Sequence, residues 1–245
     1  MVEYFRRWRR VLLLFSGGLD SGLLLAWGRE VLGQGLTALT VTGPHIVPGE
    51  THAAWDLARR LGVRHLLMQF DPLSLPDFAS NRVTRCYACK KAMLAQAGRV
   101  AARIQAEVMW DGTNLDDLKD YRPGLKAAFE AGVVSPLVEL GLGKKEIRQL
   151  SRKLGLPAHK APQSCLATRF PYDTLLTRED LARVGRGEAW LRHRGFGHVR
   201  LRVRGEEVYL ELPAEDWPRF FNQGFHRPFA RVLRGLGFGN LNLAL

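Results

Sequence analysis

Along the first two thirds of the chain, short continuous apolar runs alternate with stretches whose apolar residues recur every three or four positions. "VLLLF" (11–15) is apolar throughout and ends in a Gly-rich turn, which predicts a strand buried on both faces. "SGLLLAWGREVLGQG" (21–35) reads as a helix closed by glycine, and "LTALTVTG" (36–43) as a second buried strand. "ETHAAWDLARRLGV" (50–63) sets Ala53, Leu57 and Leu61 at four-residue spacing, predicting an amphipathic helix. "RHLLMQFD" (64–71) follows as a third strand, "CYACKKAMLAQAGRVAARIQAE" (86–107) as a long helix and "VMWDGTN" (108–114) as a fourth strand. This alternation predicts the α/β class: a doubly wound parallel sheet with right-handed crossovers.

After about residue 170 the pattern changes. "LTREDLARVGRGEAWLRHRGF" (176–196) is helical in period, and "HVRLRVRG" (198–205) with "EVYLELP" (207–213) alternates as a hairpin does. Residues 214–237 read as largely helical, interrupted at Pro218 and Pro228, and "FGNLNLAL" (238–245) as a last strand. The expected organisation is a first domain over residues 1–165 and a smaller α+β domain over 166–245, with no internal repeat.

Composition narrows the class. With 46% hydrophobic and 24% charged residues, the chain matches an ordinary soluble globular protein. No run approaches the roughly 18–20 apolar residues of a membrane span. The basic N-terminal stretch precedes an apolar run shorter than a signal-peptide core of about 7–15 residues, and no small-residue cleavage site follows it. A cytoplasmic protein without membrane attachment is expected. The net charge of +12 and pI near 10.2 point to anionic partners such as nucleotides, phosphorylated substrates or RNA. Three cysteines, an odd number, do not suggest a disulfide framework.

Candidate chemistry begins at "SGGLDS" (16–21), between the first strand and the first helix. Backbone N–H groups converge at such a junction and carry the positive end of the helix dipole, and paired glycines admit an anion closely. Neither a Walker lysine nor a G-x-G-x-x-G pattern is present. S-G-G-x-D-S after the first apolar strand resembles the PP-loop of the N-type ATP pyrophosphatases. That resemblance implies ATP cleaved between its α- and β-phosphates, with Ser16, Gly17, Gly18, Asp20 and Ser21 at the phosphates and Asp20 placing the magnesium-bound pyrophosphate. "DGTNLDDLKDYRPG" (111–124) follows the fourth strand, where ligands of open α/β sheets bind. Gly112, Thr113 and Asn114 are therefore candidate nucleotide contacts. Asp111, Asp116 and Asp117 offer hard oxygens to Mg²⁺, with Asp116 and Asp117 named as its ligands.

The cysteines leave several readings open. Cys86 and Cys89 form a C-x-x-C, and Cys165 stands alone in "QSCLATRFPY" (163–172). A redox dithiol, an iron–sulfur site, coincidence, or a zinc site completed by His159 all fit this count. Arg85, Lys90, Lys91 and Arg169 flank the cysteines and are expected to lower their pKa values. In the hairpin, Arg200, Arg202 and Arg204 alternate onto one strand face, suited to phosphate or carboxylate.

Taken together, "GTNLDDLKDYRPGLKAA" (112–128), "GVVSPLVELGLGKKEIRQLSRKLGLP" (132–157) and "SCLATRFPYDT" (164–174) resemble the LarE family of ATP-dependent sulfur transferases. The likeness runs over nearly the whole chain. It implies adenylylation of a carboxylate of pyridinium-3,5-biscarboxylic acid mononucleotide and its conversion to a thiocarboxylate, in nickel-pincer cofactor synthesis. The family has two branches. In one, a lone cysteine matching Cys165 gives up its sulfur; in the other, three cysteines matching Cys86, Cys89 and Cys165 hold a [4Fe–4S] cluster that carries the sulfur. All three are present here, which favours the cluster branch. The resemblance further implies ATP and Mg²⁺ as cofactors, a sulfur donor and a mononucleotide as partners, and a homo-oligomer. It carries Arg200 and Arg202 over to the substrate; Arg169 is a further candidate substrate contact, and Glu188 and Glu211 are candidates to orient the strand arginines. A tRNA-thiolating PP-loop enzyme is the alternative, with tRNA as its partner.

Overall fold

A computed structural model describes residues 2–119, 122–156 and 163–244. Its first sheet is built from β1 (Val11–Leu14), β2 (Leu36–Thr42), β3 (Arg64–Gln69) and β4 (Val108–Trp110). Every pairing in it is parallel, in the order β3-β2-β1-β4. The connections are helices: α1 (Leu19–Leu32) between β1 and β2, α2 (Glu50–Arg60) between β2 and β3, and α3 (Arg85–Arg103) between β3 and β4. Further along the chain lie α4 (Pro123–Glu130) and α5 (Lys144–Lys153). The doubly wound α/β expectation holds.

Strand alternation divides the apolar side chains between two layers. Val11, Leu13, Leu36 and Ala38 face Leu23 and Leu24 of α1, Leu57 of α2 and Ile147 of α5. Leu12, Leu39 and Met68 face Ala97 and Ala101 of α3. The buried face of α2 is Ala54, Leu57 and Ala58, while Ala53 and Leu61 are half-buried at its flank. An exact four-residue spacing drifts off one face because the helix turns in 3.6 residues.

The C-terminal part comprises α6 (Arg178–Arg192), β5 (Arg200–Arg204), β6 (Glu207–Glu211), α7 (Trp217–Asn222), α8 (His226–Gly235) and β7 (Leu241–Ala244). Strands β5 and β6 pair antiparallel as the hairpin pattern predicts, and β7 adds to β6 in parallel. Pro218 and Pro228 do not break helices. Each lies in the first turn of one, where the missing N–H costs no bond. The core here joins Leu181, Leu191, Leu201, Phe220 and Phe229 to Val47, Phe78 and Leu166, so the small sheet and the Cys165 segment share one hydrophobic cluster.

Candidate functional site

The strand order reverses between β1 and β4, and the ends of these strands form the crevice where open α/β sheets bind ligands. One wall is the loop 16–18 leading into α1. Gly17 has φ +73°, and a Cβ there would lie 2.8 Å from the Ala54 Cβ, so the turn requires glycine. Gly18 caps α1 without a side-chain bond, leaving first-turn N–H groups for an incoming acceptor. The Ser16 and Ser21 hydroxyls lie 3.1 Å apart, and the Gly18 N–H donates to Ser16 Oγ at 3.3 Å. The facing wall is Asp111, Gly112 and Thr113 after β4. A Cβ on Gly112 would stand 2.9 Å from the Ser21 nitrogen, so the two walls touch backbone to backbone.

These walls enclose a polar cleft of about 240 Å³ that includes Ser16, Gly18, Asp20, Ser21, Lys90 and Asp117. A second cleft of about 260 Å³ is lined by Leu39, Thr40 and Val41 of β2, and by His45, Ser164 and Cys165. Leu14, Ser16 and Lys90 line both clefts, which makes them neighbouring chambers. Lys90 Nζ stands 3.9 Å from Asp111 Oδ2, while Asp111 Oδ1 accepts from Ser135 Oγ and the Thr113 N–H.

The acidic segment divides differently from the sequence expectation. Asn114 is fully buried and lines neither cleft; its Nδ2 donates to Asp20 Oδ2 at 3.2 Å and to Asp117 Oδ2 at 3.0 Å. It ties the two segments together. Burial, reinforced by the Asp117 charge, raises the Asp20 carboxyl above the ordinary carboxylate range. Asp117 Oδ1 is held by Arg122 at 2.9 Å and Lys144 at 3.6 Å. Asp116, expected as a Mg²⁺ ligand, lies off the cleft: its carboxylate accepts from Lys119 Nζ and from the Lys144 N–H at the start of α5. Asp20, Asp111 and Asp117 are the carboxylates lining the polar chamber. One or two such oxygens beside phosphates suit Mg²⁺, and crowded carboxylates gain from a cation between them.

Cys86 and Cys89 occupy the first turns of α3, and Cys165 enters from the other segment; all three are free thiols. The expectation of lowered pKa values is overturned for two of them. Burial pushes Cys89 up to about 12 and Cys165 up to about 11; the nearby thiols add to the rise, and Lys90, Arg85 and Arg169 oppose it only in part. Desolvation of a thiolate outweighs the adjacent cations. Among the described residues, no three His, Cys, Asp or Glu side chains converge on the position of a single metal ion. His159 lies outside the described residues, so the Cys₃His arrangement has no geometry to examine.

The Cys165 segment is bolted to the small sheet. Thr168 Oγ1 donates to the Cys165 carbonyl at 2.7 Å, and the Thr168 carbonyl accepts from Arg202 at 2.7 Å. Arg202 also donates to Glu211 at 2.9 Å, the orienting contact foreseen for that pair. Glu188 does not orient the strand arginines. It is fully buried and accepts from Arg169 at 2.5 and 3.2 Å, from Arg192 at 3.0 Å and from the Leu201 N–H at 3.0 Å. Arg169, with no exposed side-chain surface, also donates to Ser164 and Thr168. Its donors are turned onto the protein, which makes it a positioning residue for this loop. Arg200, half-buried on the same strand face as Arg202, makes no ion pair among the described residues. Sequence reasoning missed the apolar β2 wall, His45 and Ser135, which no spacing marks. Lys90 was seen only as a charge beside the cysteines.

No protein-family model matches the chain. It is 38% identical over 244 residues to an uncharacterised protein of Synechocystis sp., covering 99% of this chain and 91% of the relative. An uncharacterised protein of Methanocaldococcus jannaschii shares 28% identity over 223 residues, covering 91% and 84% respectively. The pyridinium-3,5-bisthiocarboxylic acid mononucleotide synthase of Lactiplantibacillus plantarum is 34% identical over 247 aligned positions, covering all of this chain and 89% of that enzyme. With that identity over its full length, the chain belongs to the LarE family.

Proposed function

We propose that this protein is an ATP-dependent sulfur transferase that converts a carboxylate of pyridinium-3,5-biscarboxylic acid mononucleotide to a thiocarboxylate. The observation that carries the reading is the adjoining pair of chambers, with Ser16 and Cys165 on the walls of one cleft and Ser16 and Asp20 on the walls of the other. The substrate carboxylate oxygen attacks the α-phosphorus of ATP, the α–β bridge breaks and pyrophosphate leaves. The α1 N-terminus, Ser16, Ser21 and Lys90 receive the phosphate charge, and Asp20 with Asp111 or Asp117 would hold Mg²⁺. A sulfur nucleophile then adds to the acyl carbon from the Cys165 side, and AMP departs with the original oxygen. Arg200 is available for the mononucleotide phosphate, beside Arg202 already fixed by Glu211.

Three free thiols on two adjoining segments, with no fourth cysteine in the chain, fit a cluster that keeps one iron without a protein ligand. Cys86, Cys89 and Cys165 would hold a [4Fe–4S] cluster which, when bound, supplies a place for an external sulfur nucleophile. The test is pyrophosphate exchange into ATP that depends on the pyridinium carboxylate, followed by thiocarboxylate formation with sulfide under anaerobic conditions. Absence of substrate-dependent exchange overturns the reading. Loss of one H₂S mass from Cys165 after turnover assigns the chain to the sacrificial branch instead. Salt-sensitive tRNA binding without turnover of the pyridinium substrate favours the tRNA alternative.

A further inference from the structure

Arg85 is the first residue of α3, adjacent in sequence to Cys86, and is only 6% exposed. No carboxylate among the described residues pairs with it. Among the described residues its guanidinium makes one hydrogen bond, a long one from Nη1 to the Arg82 carbonyl at 3.5 Å, and it lies over the Tyr172 ring at 4.5 Å. A buried cation without a counter-anion is costly to keep, and the other deeply buried guanidinium near the cysteines, Arg169, has Glu188.

The position of Arg85 gives that unbalanced charge a direction. The segments bearing Cys86 and Cys165 are clipped together beside it. Asn81 Nδ2 donates to the Phe170 and Pro171 carbonyls, the Asp173 N–H to the Asn81 carbonyl, and the Leu176 N–H to the Ala79 carbonyl. Tyr172, under the guanidinium, belongs to the Cys165 segment. The N-terminus of α3, a 19-residue helix without a side-chain cap, adds its dipole to the same spot.

We infer that Arg85 is the resident counter-cation of an anionic sulfur site between the two cysteine segments, taking a small hydrosulfide anion or thiolate sulfur as its partner. The inference rests on the sulfur-transfer reading for the identity of the anion, and on the buried, carboxylate-free guanidinium for its charge.

The test uses the full-length metal-free chain and compares alkylation of each cysteine by iodoacetate and by neutral iodoacetamide, resolved by mass spectrometry. Both reagents attack the same thiolate, so their rate ratio cancels thiol ionisation and reports local potential. Arg85→Gln is expected to lower the ratio at Cys86 or Cys165 by about fivefold, the scale of one partly screened charge at short range. Arg85→Lys is expected to keep it. With the loaded protein, Arg85→Gln is expected to raise the sulfide KM about tenfold more than it lowers kcat. An unchanged ratio in Arg85→Gln overturns the inference. So does an Arg85→Lys as impaired as Arg85→Gln, because packing on Tyr172 and not charge would then be what the site uses. Failure of the wild-type protein in pyrophosphate exchange, with the reagent ratio still dependent on Arg85, counts against the enzymatic reading and leaves the anion site standing.

Discussion

Replacing Glu188 tests how the Cys165 loop is held. Its carboxylate has no solvent exposure and accepts four hydrogen bonds: two from Arg169, one from Arg192 and one from the Leu201 backbone. In Glu188→Gln the side chain keeps its shape, but the Arg169 guanidinium is left buried without a counter-charge. Breaking a buried pair in this way costs about 3–5 kcal/mol. At about 2–4 °C per kcal/mol for a chain of this size, the Tm falls by about 6–20 °C. Urea denaturation and thermal melting read the loss directly. The double replacement Glu188→Leu with Arg169→Met removes that pair and is expected to recover part of the stability, the remainder being withheld by Arg192 and the Leu201 N–H, which lose their acceptor. Sulfur transfer should remain impaired in it, because Ser164 and Thr168 lose their donor. A Glu188→Gln protein within about 1 kcal/mol of wild type would refute the assignment of Arg169 as a buried cation that depends on Glu188 for its counter-charge.

Other outcomes follow from the same geometry. Gly112→Ala drives a Cβ toward the Ser21 backbone at 2.9 Å, and pyrophosphate exchange should fall more than about tenfold as the two cleft walls separate, with circular dichroism still showing a folded protein. Arg200→Ala should raise the KM for the mononucleotide with little change in Tm. Arg202→Ala should lower both affinity and Tm, since it also releases Glu211 and the Thr168 carbonyl. Burial lowers the His45 pKa from 6.5 to about 4, partly opposed by Asp71. The neutral ring therefore contributes stability that is complete above about pH 6.5 and lost as pH falls through about 4. In urea titrations His45→Leu should flatten that acid limb, and an unchanged slope would remove His45 as its source.

The parallel sheet, its crossover helices and the C-terminal hairpin were legible because each is encoded in local periodicity. The turn at 16–18 was legible because Gly17, at φ +73° against Ala54, is demanded by backbone geometry. What escaped depends on how side chains are already occupied. Asn114, Asp116 and Asp117 look alike as acceptors in sequence, yet Asn114 braces Asp20, Asp116 binds the start of α5 and Asp117 faces the cleft. Neighbouring cations suggested activated thiols, but sequence adjacency counts charges without counting lost water, and for Cys89 and Cys165 the lost water prevails. Arg169 was expected at the substrate; the buried Glu188 that claims it lies 19 residues away.

Cys165 itself is secured through its main chain. Its carbonyl accepts from the Thr168 N–H and hydroxyl, and the next N–H, that of Leu166, donates to the His45 carbonyl. The sulfur adds one tie of its own, accepting from the Ala167 N–H. Most of these ties do not depend on the thiol: were the sulfur transferred away and the residue left unsaturated, the main-chain bonds would still stand and only the Ala167 contact would be lost. Under the proposed reaction, a spent protein of this kind would remain folded and would compete for substrate with fresh copies.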